Sequence, residues 1–478
     1  MDETALARRL RKLQEIVEVA KAMTAERELR RLLGIVNDAA ARVAEADRCS
    51  LFVLDRERGE LWTPAAHGTG QIRIPRQAGI AGAVATSAQA VSIADAYEDP
   101  RFNREVDAAT GYRTRSVLAV PMTNGRGEVV GVIQALNRRD GAPFGEEDAE
   151  LLGALAGPAA SAVENALLHE ELERAFEGFV RASVVAIEAR DPTTAGHSGR
   201  VADLTTGLAR AVEQAPPPAW RGAAFDAAAL RQLRYAALLH DFGKVGVREH
   251  VLVKAEKLYP HQLELVAARF ELARARLENE RLRARLEGRP DGAAAERLEA
   301  LDGLWELVRL ANRPTVLPEA ASARLQEAAA LAFDGGDGAR RPLVTPEELR
   351  LLSIPKGSLS DEERREIEGH VDHTFRFLSQ IPWTRALRRV PEIAYGHHEK
   401  LDGGGYPRAV AAPAIALETR MMTIADIYDA LTAADRPYKK ALPAEKALDI
   451  LGDEARRGQV DGGLLGVFVE AGLWRARG

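Results

Sequence analysis

The first part of the chain carries apolar residues at a spacing that is typical of an amphipathic helix. Over residues 4–45, leucine, isoleucine and valine recur at steps of three and four with charged residues between them, as at Leu6, Leu10 and Leu13. This stripe predicts a helix that packs against its own domain. Packing against a partner helix is the weaker alternative, because about two heptads are too few to specify a coiled coil.

From Arg48 onward, the pattern changes to short apolar runs that are typical of β-strands. A short helix is expected to open at Gly79. The pattern predicts an antiparallel sheet edged by helices, which is an α+β arrangement. The predicted strands are 49–55, 60–63, 72–74, 90–93, 116–120 and 129–136.

The following segments return to helical periodicity. Residues 146–185 predict one long helix, in which Gly157 and Pro158 are placed to cause a kink. Apolar positions within 263–277 and 298–308 predict two helices joined by a turn, which form an αα-hairpin. Acidic residues alternate with arginines there, which favours a solvated face over a nucleic-acid surface. A flexible loop is expected at 334–338.

Length, composition and charge limit the possible functions. The chain has 478 residues, 46% of them hydrophobic and 28% charged, which indicates about two to four globular domains. Its net charge of −6 provides no basic field for nucleic acid, so an anionic substrate must be held by local cations or metals. The single cysteine fits a reducing compartment. Without a signal peptide or a run of about 18 apolar residues, a cytoplasmic protein with no membrane span is expected.

Three separated stretches contain residues that are suited to binding metals. Residues 395–407 contain two adjacent histidines and a glutamate, followed by a Gly-rich loop closed by tyrosine and proline. Histidine, aspartate and lysine lie within 239–244, and a further aspartate lies within 424–426. Neutral imidazole is the commonest protein metal ligand, and glycines let the backbone come close to a bound molecule. These stretches therefore predict metal ligands beside a substrate-facing loop.

In their order and spacing, these stretches resemble the HD-GYP family of metal-dependent cyclic dinucleotide phosphodiesterases. The resemblance implies an all-α HD-type phosphohydrolase domain that hydrolyses the 3',5'-phosphodiester bond of cyclic di-GMP to pGpG and/or GMP. It also implies two divalent metal ions, Fe or Mn, that activate a hydroxide. The implied metal ligands are His240, Asp241, His370, His397, His398 and Asp426.

The resemblance assigns further roles around these metals. Asp241 is implied to bridge the two ions, and Asp241 and Lys244 are the expected catalytic residues. We expect Lys244 to share a helix face with His240, four residues earlier, and to meet a substrate phosphate. The implied substrate-binding residues are Lys244, Asp402, Gly405, Tyr406, Pro407, Arg436 and Lys439, and His197 and Asp429 are implied to support the ligands from outside.

The choice of ligand histidines and the number of metals each have an alternative. His373 lies one turn after His370 and competes with it as a ligand, although the motif position favours His370. His250 and His261 match no motif position and are expected at the surface. Some family members bind a third metal through a carboxylate at the position of Thr193, so its identity favours two metals here.

Residues 30–165 resemble a GAF domain, through the stretches 72–75, 79–82, 95–103, 110–116 and 131–134. The resemblance is closest to GAF domains that bind cyclic nucleotides, and it implies a small ligand near Asn137 and Asp148. Arg138 and Ala149 replace the lysine and glutamate of that signature. The alternative is therefore a domain that serves only dimerisation. Such domains commonly pair through helices like the one predicted at 146–181, so a parallel homodimer is expected.

The chain is thus predicted to contain a GAF-like sensor domain with an N-terminal helix at 1–168, a helical linker at 169–182 and a catalytic domain at 183–478. A helical insertion is expected at about 258–350. The expected function is a GAF-regulated cyclic di-GMP phosphodiesterase. A phosphohydrolase acting on another cyclic dinucleotide or nucleotide, and a non-catalytic cyclic dinucleotide receptor, are the alternatives.

Overall fold

The computed structural model describes residues 3–63, 72–191, 195–314, 316, 318–334, 339–433 and 441–475. The chain divides into two compact units, Met1–Glu177 and Gly178–Gly478. The first unit contains a large sheet, whereas the second is mainly helical.

A six-stranded sheet forms the centre of the N-terminal unit. Its strands are β1 (Ala46–Asp55), β2 (Glu60–Thr63), β3 (Ile72–Pro75), β4 (Val91–Ile93), β5 (Val117–Thr123) and β6 (Val129–Arg138). Neighbouring strands pair antiparallel in the order β3-β2-β1-β6-β5-β4. In the central pair, Leu51 of β1 lies opposite Ile133 of β6. The predicted antiparallel sheet is confirmed.

The helices described in this unit are α1 (Glu3–Ala25), α2 (Leu29–Val43), α3 (Gly79–Ser87), α4 (Arg104–Thr110) and the start of α5 (Glu146–Arg190). The helical pattern predicted over 4–45 is confirmed, and it is divided between two separate helices, α1 and α2. The side chain of Glu26 accepts hydrogen bonds from the backbone N–H groups of Arg27 and Glu28, both at 2.9 Å. This local bonding replaces helical hydrogen bonds and ends α1.

Both faces of the sheet are covered by helices. On β1, Leu51 and Val53 pack in the core shared with α1, α2 and α5. Phe52 and Leu54 pack in a second core shared with α3. Successive strand residues point to opposite faces. A continuous apolar run in β1 is therefore what a sheet buried on both sides requires.

Helix α5 is 45 residues long and contains Pro158. The helix continues through this proline to Arg190, so the predicted interruption does not end it. By length and composition alone, α5 could cross a membrane, because one 18-residue window of it is sufficiently apolar. No such segment was predicted from the sequence. Half of that window is buried, and Leu151, Leu152 and Leu155 pack in the core of the first unit. Such burial is typical of a core helix.

Helices make up most of the C-terminal unit. They are α6 (His197–Gln214), α7 (Ala227–Leu239), α8 (Glu249–Leu252), α9 (Pro260–Leu286), α10 (Gly292–Asn312), α11 (Glu319–Ala330), α12 (Pro346–Leu352), α13 (Asp361–Glu368), α14 (His370–Leu378), α15 (Val390–Tyr395), α16 (Leu417–Thr432), α17 (Ala444–Arg456) and α18 (Gly462–Glu470). Helix α16 packs against α6 and buries Met421, Met422 and Ile424. The predicted all-α character of this unit is confirmed apart from one short strand pair.

That strand pair belongs to the region predicted as an insertion. Helices α9 and α10 form the predicted αα-hairpin, and Phe270, Leu301 and Val308 contribute to a core that is separate from the cores of the sheet. The strands β7 (Ala332–Asp334) and β8 (Arg340–Pro342) pair antiparallel and were not predicted. The loop expected at 334–338 lies, apart from Asp334, outside the described residues.

Candidate metal centre

Five segments of the C-terminal unit bring imidazoles and carboxylates together. They are the first turn of α6, the end of α7, the first residue of α14, the turn after α15 and the middle of α16. The potential ligand atoms form three overlapping groups, within each of which all lie within 4.8 Å of one another. The groups are His370, His397 and His398; His197, His240 and Asp426; and His240, Asp241 and His397. All six predicted metal ligands thus meet at one place, and His197 joins them.

The protein backbone orients three of these imidazoles. In each case Nδ1 lies at hydrogen-bond distance from the carbonyl oxygen of the residue three positions earlier. The distances are 2.7 Å for His240 and 2.6 Å for both His370 and His397. A carbonyl oxygen can only accept, so the proton of each neutral ring resides on Nδ1 and Nε2 carries a lone pair. This arrangement is common in metal-ligating histidines, whose second ring nitrogen donates to a carbonyl or carboxylate.

The three Nε2 atoms are buried and have no hydrogen-bond partner among the residues that the structure describes. Nε2 of His370 lies 3.3 Å from Oδ1 of Asp241, and Nε2 of His240 lies 3.5 Å from its Oδ2. Lone pairs therefore face carboxylate oxygens without a proton between them. Such an arrangement is unfavourable unless a cation is shared, so the donor set fits divalent metal ions.

The charge state of the cluster also suits a cation. Burial by itself raises the pKa of the Asp241 and Asp426 carboxyls. The Lys244 ammonium beside Asp241 and the hydrogen bond between His197 and Asp426 outweigh burial, so both pKa values lie well below the ordinary value. Burial lowers the pKa of His397 well below its usual range and that of His398 to about 4. At neutral pH these residues are carboxylates and neutral imidazoles, which are the forms that bind metals.

The prediction that His240, Asp241 and Lys244 lie on one helix is wrong. Helix α7 ends at Leu239, His240 caps it, and residues 242–246 form a 3₁₀ turn. Within this turn the Lys244 N–H donates to the Asp241 carbonyl at 2.9 Å. Side chains three residues apart align in a 3₁₀ turn, and Nζ of Lys244 accordingly lies 2.8 Å from Oδ2 of Asp241.

A close backbone contact fixes this turn against α14. The N–H of Gly243 donates to the Thr374 hydroxyl at 2.8 Å, and this hydroxyl donates to the His240 carbonyl at 2.9 Å. A Cβ atom at position 243 would lie only 1.8 Å from the His370 carbonyl oxygen. Glycine is therefore required there, and it sets the spacing between the His240–Asp241 pair and His370.

Lys244 is shared by two carboxylates. Besides Asp241, its Nζ contacts Oδ2 of Asp191 at 3.2 Å, and both carboxylates are buried. Burial lowers the pKa of Lys244, but Asp241 and Asp191 outweigh it and raise the pKa above the ordinary value. The ammonium thus stays charged beside the metal ligands. Asp191 was not identified from the sequence, because it lies 53 residues before Lys244 and outside the ligand motifs.

His197 lies closer to the centre than its predicted supporting role requires. Its Nε2 is 3.2 Å from Oδ1 of Asp426 and 3.8 Å from Oδ2 of Asp241. Its Nδ1 is 2.8 Å from Oδ2 of Asp429, whose carboxylate also accepts hydrogen bonds from Arg200 at 2.9 and 3.1 Å. Burial lowers the pKa of His197, but these carboxylates outweigh it and raise the pKa to about 9. The Arg200–Asp429 pair therefore aims His197 at the ligand cluster.

His370 is placed by a break between two helices. Ser360 and Glu363 form a capping box that starts α13, as the sequence analysis expected. Helix α13 ends at Glu368, and α14 begins at His370, whose ring is buried. His373 is exposed and its ring lies against Gly246, away from the cluster. The alternative prediction that His373 is a metal ligand is therefore wrong. His250 and His261 are exposed, as predicted.

The Gly-rich loop packs directly on the ligand histidines. The Tyr406 N–H donates to the His398 carbonyl at 3.2 Å, and the two ring centroids are 4.7 Å apart. A Cβ at Gly405 would lie 2.3 Å from the Lys400 backbone nitrogen, so the loop passes too close to the chain for a side chain. Half-buried Pro407 ends this close passage.

Two carboxylates stabilise the loop. Asp402 is exposed and accepts a hydrogen bond from the Gly404 N–H at 2.8 Å, so it shapes the turn. Glu399 is buried and accepts from the N–H groups of Arg408 at 2.8 Å and Val410 at 3.1 Å. No role of its own was predicted for Glu399. The remaining predicted substrate-binding residues, Arg436 and Lys439, lie outside the described residues, as does Thr193.

The predicted ligand residues of the N-terminal unit bond to other residues of the same unit. Asn137 accepts hydrogen bonds from the backbone N–H groups of Arg115 and Ser116 and donates to the Arg113 carbonyl and the Tyr112 hydroxyl. Asp148 accepts from the Gly145 N–H at 2.9 Å and forms an ion pair with Arg138 at 3.3 Å. Both side chains are therefore engaged within the unit, and a ligand contact at these two residues stays a prediction.

A cavity of about 180 Å³ lies elsewhere in this unit. Neither Asn137 nor Asp148 lines it. Its walls come from β1, β3, β6, the start of α3 and the segment around α4. They include Cys49, Phe52, Ile80, Asp107, Tyr112 and Gln134. The cavity is mainly apolar, with a few polar groups, which is the usual character of small-molecule sites.

Comparisons with known proteins agree with this division. A GAF domain family matches residues 28–163, and two HD domain families match residues 194–313 and 293–464. Among solved structures, the GAF domain of a phosphoenolpyruvate-protein phosphotransferase from Coxiella burnetii is 21% identical, covering 34% of this chain and 98% of its own, with a TM-score of 0.31. A GAF domain/HD domain protein from Geobacter sulfurreducens is 16% identical, covering 31% and 98%, with a TM-score of 0.26.

Three curated relatives are phosphodiesterases by name. The dual 3',5'-cyclic-AMP and -GMP phosphodiesterase 11A of Takifugu rubripes is 34% identical over 28% of this chain and 16% of its own length. The probable 3',5'-cyclic phosphodiesterase pde-5 of Caenorhabditis elegans is 32% identical over 29% and 21%. The 3'3'-cGAMP-specific phosphodiesterase 3 of Vibrio cholerae serotype O1 is 45% identical over 20% of each chain. The match spans about a fifth of the length of these relatives.

The family matches thus give the order of the domains. The chain carries an N-terminal segment that matches the GAF domain family, followed by segments that match HD domain families.

Proposed function

We propose that this protein is a metal-dependent phosphodiesterase that hydrolyses the 3',5'-phosphodiester bond of cyclic di-GMP to pGpG and/or GMP. The observation that carries the proposal is the convergence of three buried Nε2 lone pairs on the carboxylates of Asp241 and Asp426. The phosphodiesterase names of the relatives support the reaction class. One relative is named for 3'3'-cGAMP, which makes that cyclic dinucleotide the second candidate substrate.

The six predicted ligands, Asp241 among them, would hold two divalent ions of the iron or manganese type. When bound, such ions lower the pKa of water and stabilise charge on a phosphate. Nε2 of His197 either carries a proton or contacts one of the predicted metal ligands, and Asp429 orients the ring from the Nδ1 side. Lys244 keeps the nearby carboxylates neutralised and offers N–H groups to a phosphate oxygen. Tyr406 provides an aromatic surface for a guanine base beside His398.

The test combines metal analysis with turnover. The full chain, purified with iron or manganese, should contain about two ions and should hydrolyse cyclic di-GMP faster than 3'3'-cGAMP, cyclic di-AMP or cyclic AMP. Product chromatography then separates pGpG from GMP. Preferred turnover of 3'3'-cGAMP would select the second substrate. Tight binding of cyclic di-GMP by a fully metal-loaded chain without turnover would contradict the enzyme and support a receptor.

The proposal includes a homodimer that pairs through α1. Leu6, Leu10, Leu13 and Val17 are 39–54% exposed and recur at steps of four and three, whereas Ile16 faces the core. These exposed side chains form one apolar face of α1, which a second copy of the chain would bury. Light scattering should show a dimer that dissociates in the double variant Leu10→Glu/Leu13→Glu, because two charges would enter the apolar face. The control Arg11→Glu changes charge beside this face and should remain dimeric. An unchanged mass of the double variant would refute the α1 interface.

Regulation by the GAF domain is the last part of the proposal. We place its ligand in the cavity near Cys49 and Tyr112, with cyclic AMP and cyclic GMP as first candidates. A ligand changes activity only if it prefers one state of the protein. The expected coupling of about 1–3 kcal/mol corresponds to a change in turnover of about five- to 150-fold, which the same turnover assay measures with each nucleotide added. If a nucleotide binds without changing turnover, the GAF domain serves only dimerisation.

A further inference from the structure

We infer that the C-terminal unit contains a second nucleotide site, which binds a guanosine monophosphate on the outer side of the metal-ligating elements. A pocket of about 460 Å³ lies there, separate from the predicted ligands. The residues that define its chemistry are Phe375, Trp383, Arg388, Glu392, Tyr395 and Arg408. None of them belongs to the metal site or to its predicted substrate contacts.

The pocket combines fixed aromatic walls with two guanidinium groups. The rings of Phe375 and Tyr395 pack with centroids 4.4 Å apart, and the Arg408 guanidinium lies 5.1 Å from the Tyr395 centroid. The Trp383 indole N–H donates to the Leu378 carbonyl at 2.8 Å, which fixes this ring as well. Among the described residues, no hydrogen bond or ion pair engages the exposed Arg388. Planar apolar walls beside Arg388, and beside an Arg408 guanidinium that lies 3.7 Å from the Glu399 carboxylate, suit a ligand with an aromatic ring and a phosphate.

Glu392 indicates which base would fit. Its carboxylate is exposed at the rim and can only accept hydrogen bonds. Guanine presents two adjacent donors, its ring N–H and its amino group, to a single carboxylate. Adenine presents an acceptor beside its amino group, which would face the carboxylate unfavourably. Glu392 therefore favours a guanosine over an adenosine monophosphate.

The walls of the pocket belong to the elements that carry the predicted metal ligands. Phe375 lies on α14, which begins at His370, and Tyr395 ends α15 just before His397. Arg408 follows the Gly-rich loop, and its backbone N–H is held by Glu399, the neighbour of His398. A ligand that engages Arg408 and Tyr395 thus contacts the outer supports of the ligand histidines. If the proposed function holds, GMP from cyclic di-GMP hydrolysis regulates turnover through this site, and that regulatory part of the inference rests on the proposed function.

Tryptophan fluorescence provides a readout that does not depend on turnover. The full, metal-loaded chain is titrated with GMP, AMP and inorganic phosphate. GMP should change the emission more than AMP at equal concentration, and phosphate should bind weakly. Trp383→Phe should remove the fluorescence change. Arg388→Ala should weaken GMP binding by about tenfold or more, the effect of losing one charge-assisted contact, without altering basal turnover. The matched control Arg385→Ala removes a neighbouring exposed arginine that does not line the pocket and should bind GMP normally.

Glu392→Gln supplies an independent check, since it should reduce the preference for GMP over AMP. GMP affinity that is equal in the parent, Arg388→Ala and Glu392→Gln chains would overturn the inference, as would a fluorescence change that persists in Trp383→Phe. Failure of the proposed function is distinguishable from this result. A chain that hydrolyses no cyclic dinucleotide but loses GMP binding in Arg388→Ala retains the nucleotide site without the proposed activity.

Discussion

Replacing Asp241 by asparagine is expected to lower turnover by about 10²- to 10³-fold or more, the scale of losing a principal electrostatic group in an active site. The amide has the same shape but carries no charge. Asp241 contacts His370, His240, His197 and Lys244 within 3.8 Å, so it lies at the centre of the cluster. The asparagine amide would also donate N–H groups to histidine Nε2 atoms, whose lone pairs would otherwise bind a cation. Metal content should therefore fall together with turnover.

Metal content and the initial rate of cyclic di-GMP hydrolysis are measured on the same preparation, with Asp203→Asn as the control. Asp203 is an exposed aspartate of α6 that pairs with Arg234, and its exchange should leave both quantities unchanged. His240→Ala and Asp426→Ala should also lose metal. Full metal content in all three site variants would mean that the ligand assignment is wrong.

Replacing Lys244 by methionine should lower turnover by about 10²-fold while the metals remain bound. The ammonium lies 2.8 Å from Asp241 and 3.2 Å from Asp191, and its side chain is only 14% exposed. Methionine preserves much of the packing but leaves two buried carboxylates without their cation. Breaking a buried pair in this way costs about 3–5 kcal/mol, so the free energy of unfolding should fall as well.

The loss of stability calls for a matched control. Lys254→Met removes another buried lysine, which pairs with Glu363 at 2.8 Å and is 2% exposed. Both variants should be less stable, but below their unfolding temperatures only Lys244→Met should lose turnover. Equal loss of turnover in the two variants would show that Lys244 acts through folding and not on the substrate.

Local sequence patterns predicted the helices and strands well, but they predicted the contacts between distant residues less well. The strands were predictable because a sheet covered on both faces needs apolar runs such as Leu51–Leu54. The turn after His240 was not, because the contact of Gly243 with Thr374, 131 residues away, determines it. No rule of local spacing includes such a contact.

The candidate site shows the same limit. The motif positions met as expected, and three of the four predicted ligand histidines are held by a carbonyl only three residues earlier in their own segments. The position of His197 depends instead on Asp429, which is 232 residues away in the chain. In the GAF domain the signature residue Asn137 was recognised, but its role was not, because its amide bonds to a segment more than twenty residues earlier.

The three carbonyl-anchored imidazoles have a consequence for how the protein acquires its ions. Helix ends, and not the ion, determine where these donor atoms lie. Loading then requires little rearrangement of the chain, and removal of the ions by a chelator should leave the fold intact. Imidazole and carboxylate sets accept several first-row metals, and the choice in a cell depends strongly on supply. The abundance of iron and manganese during synthesis would therefore set the metal composition of the molecules that a cell contains.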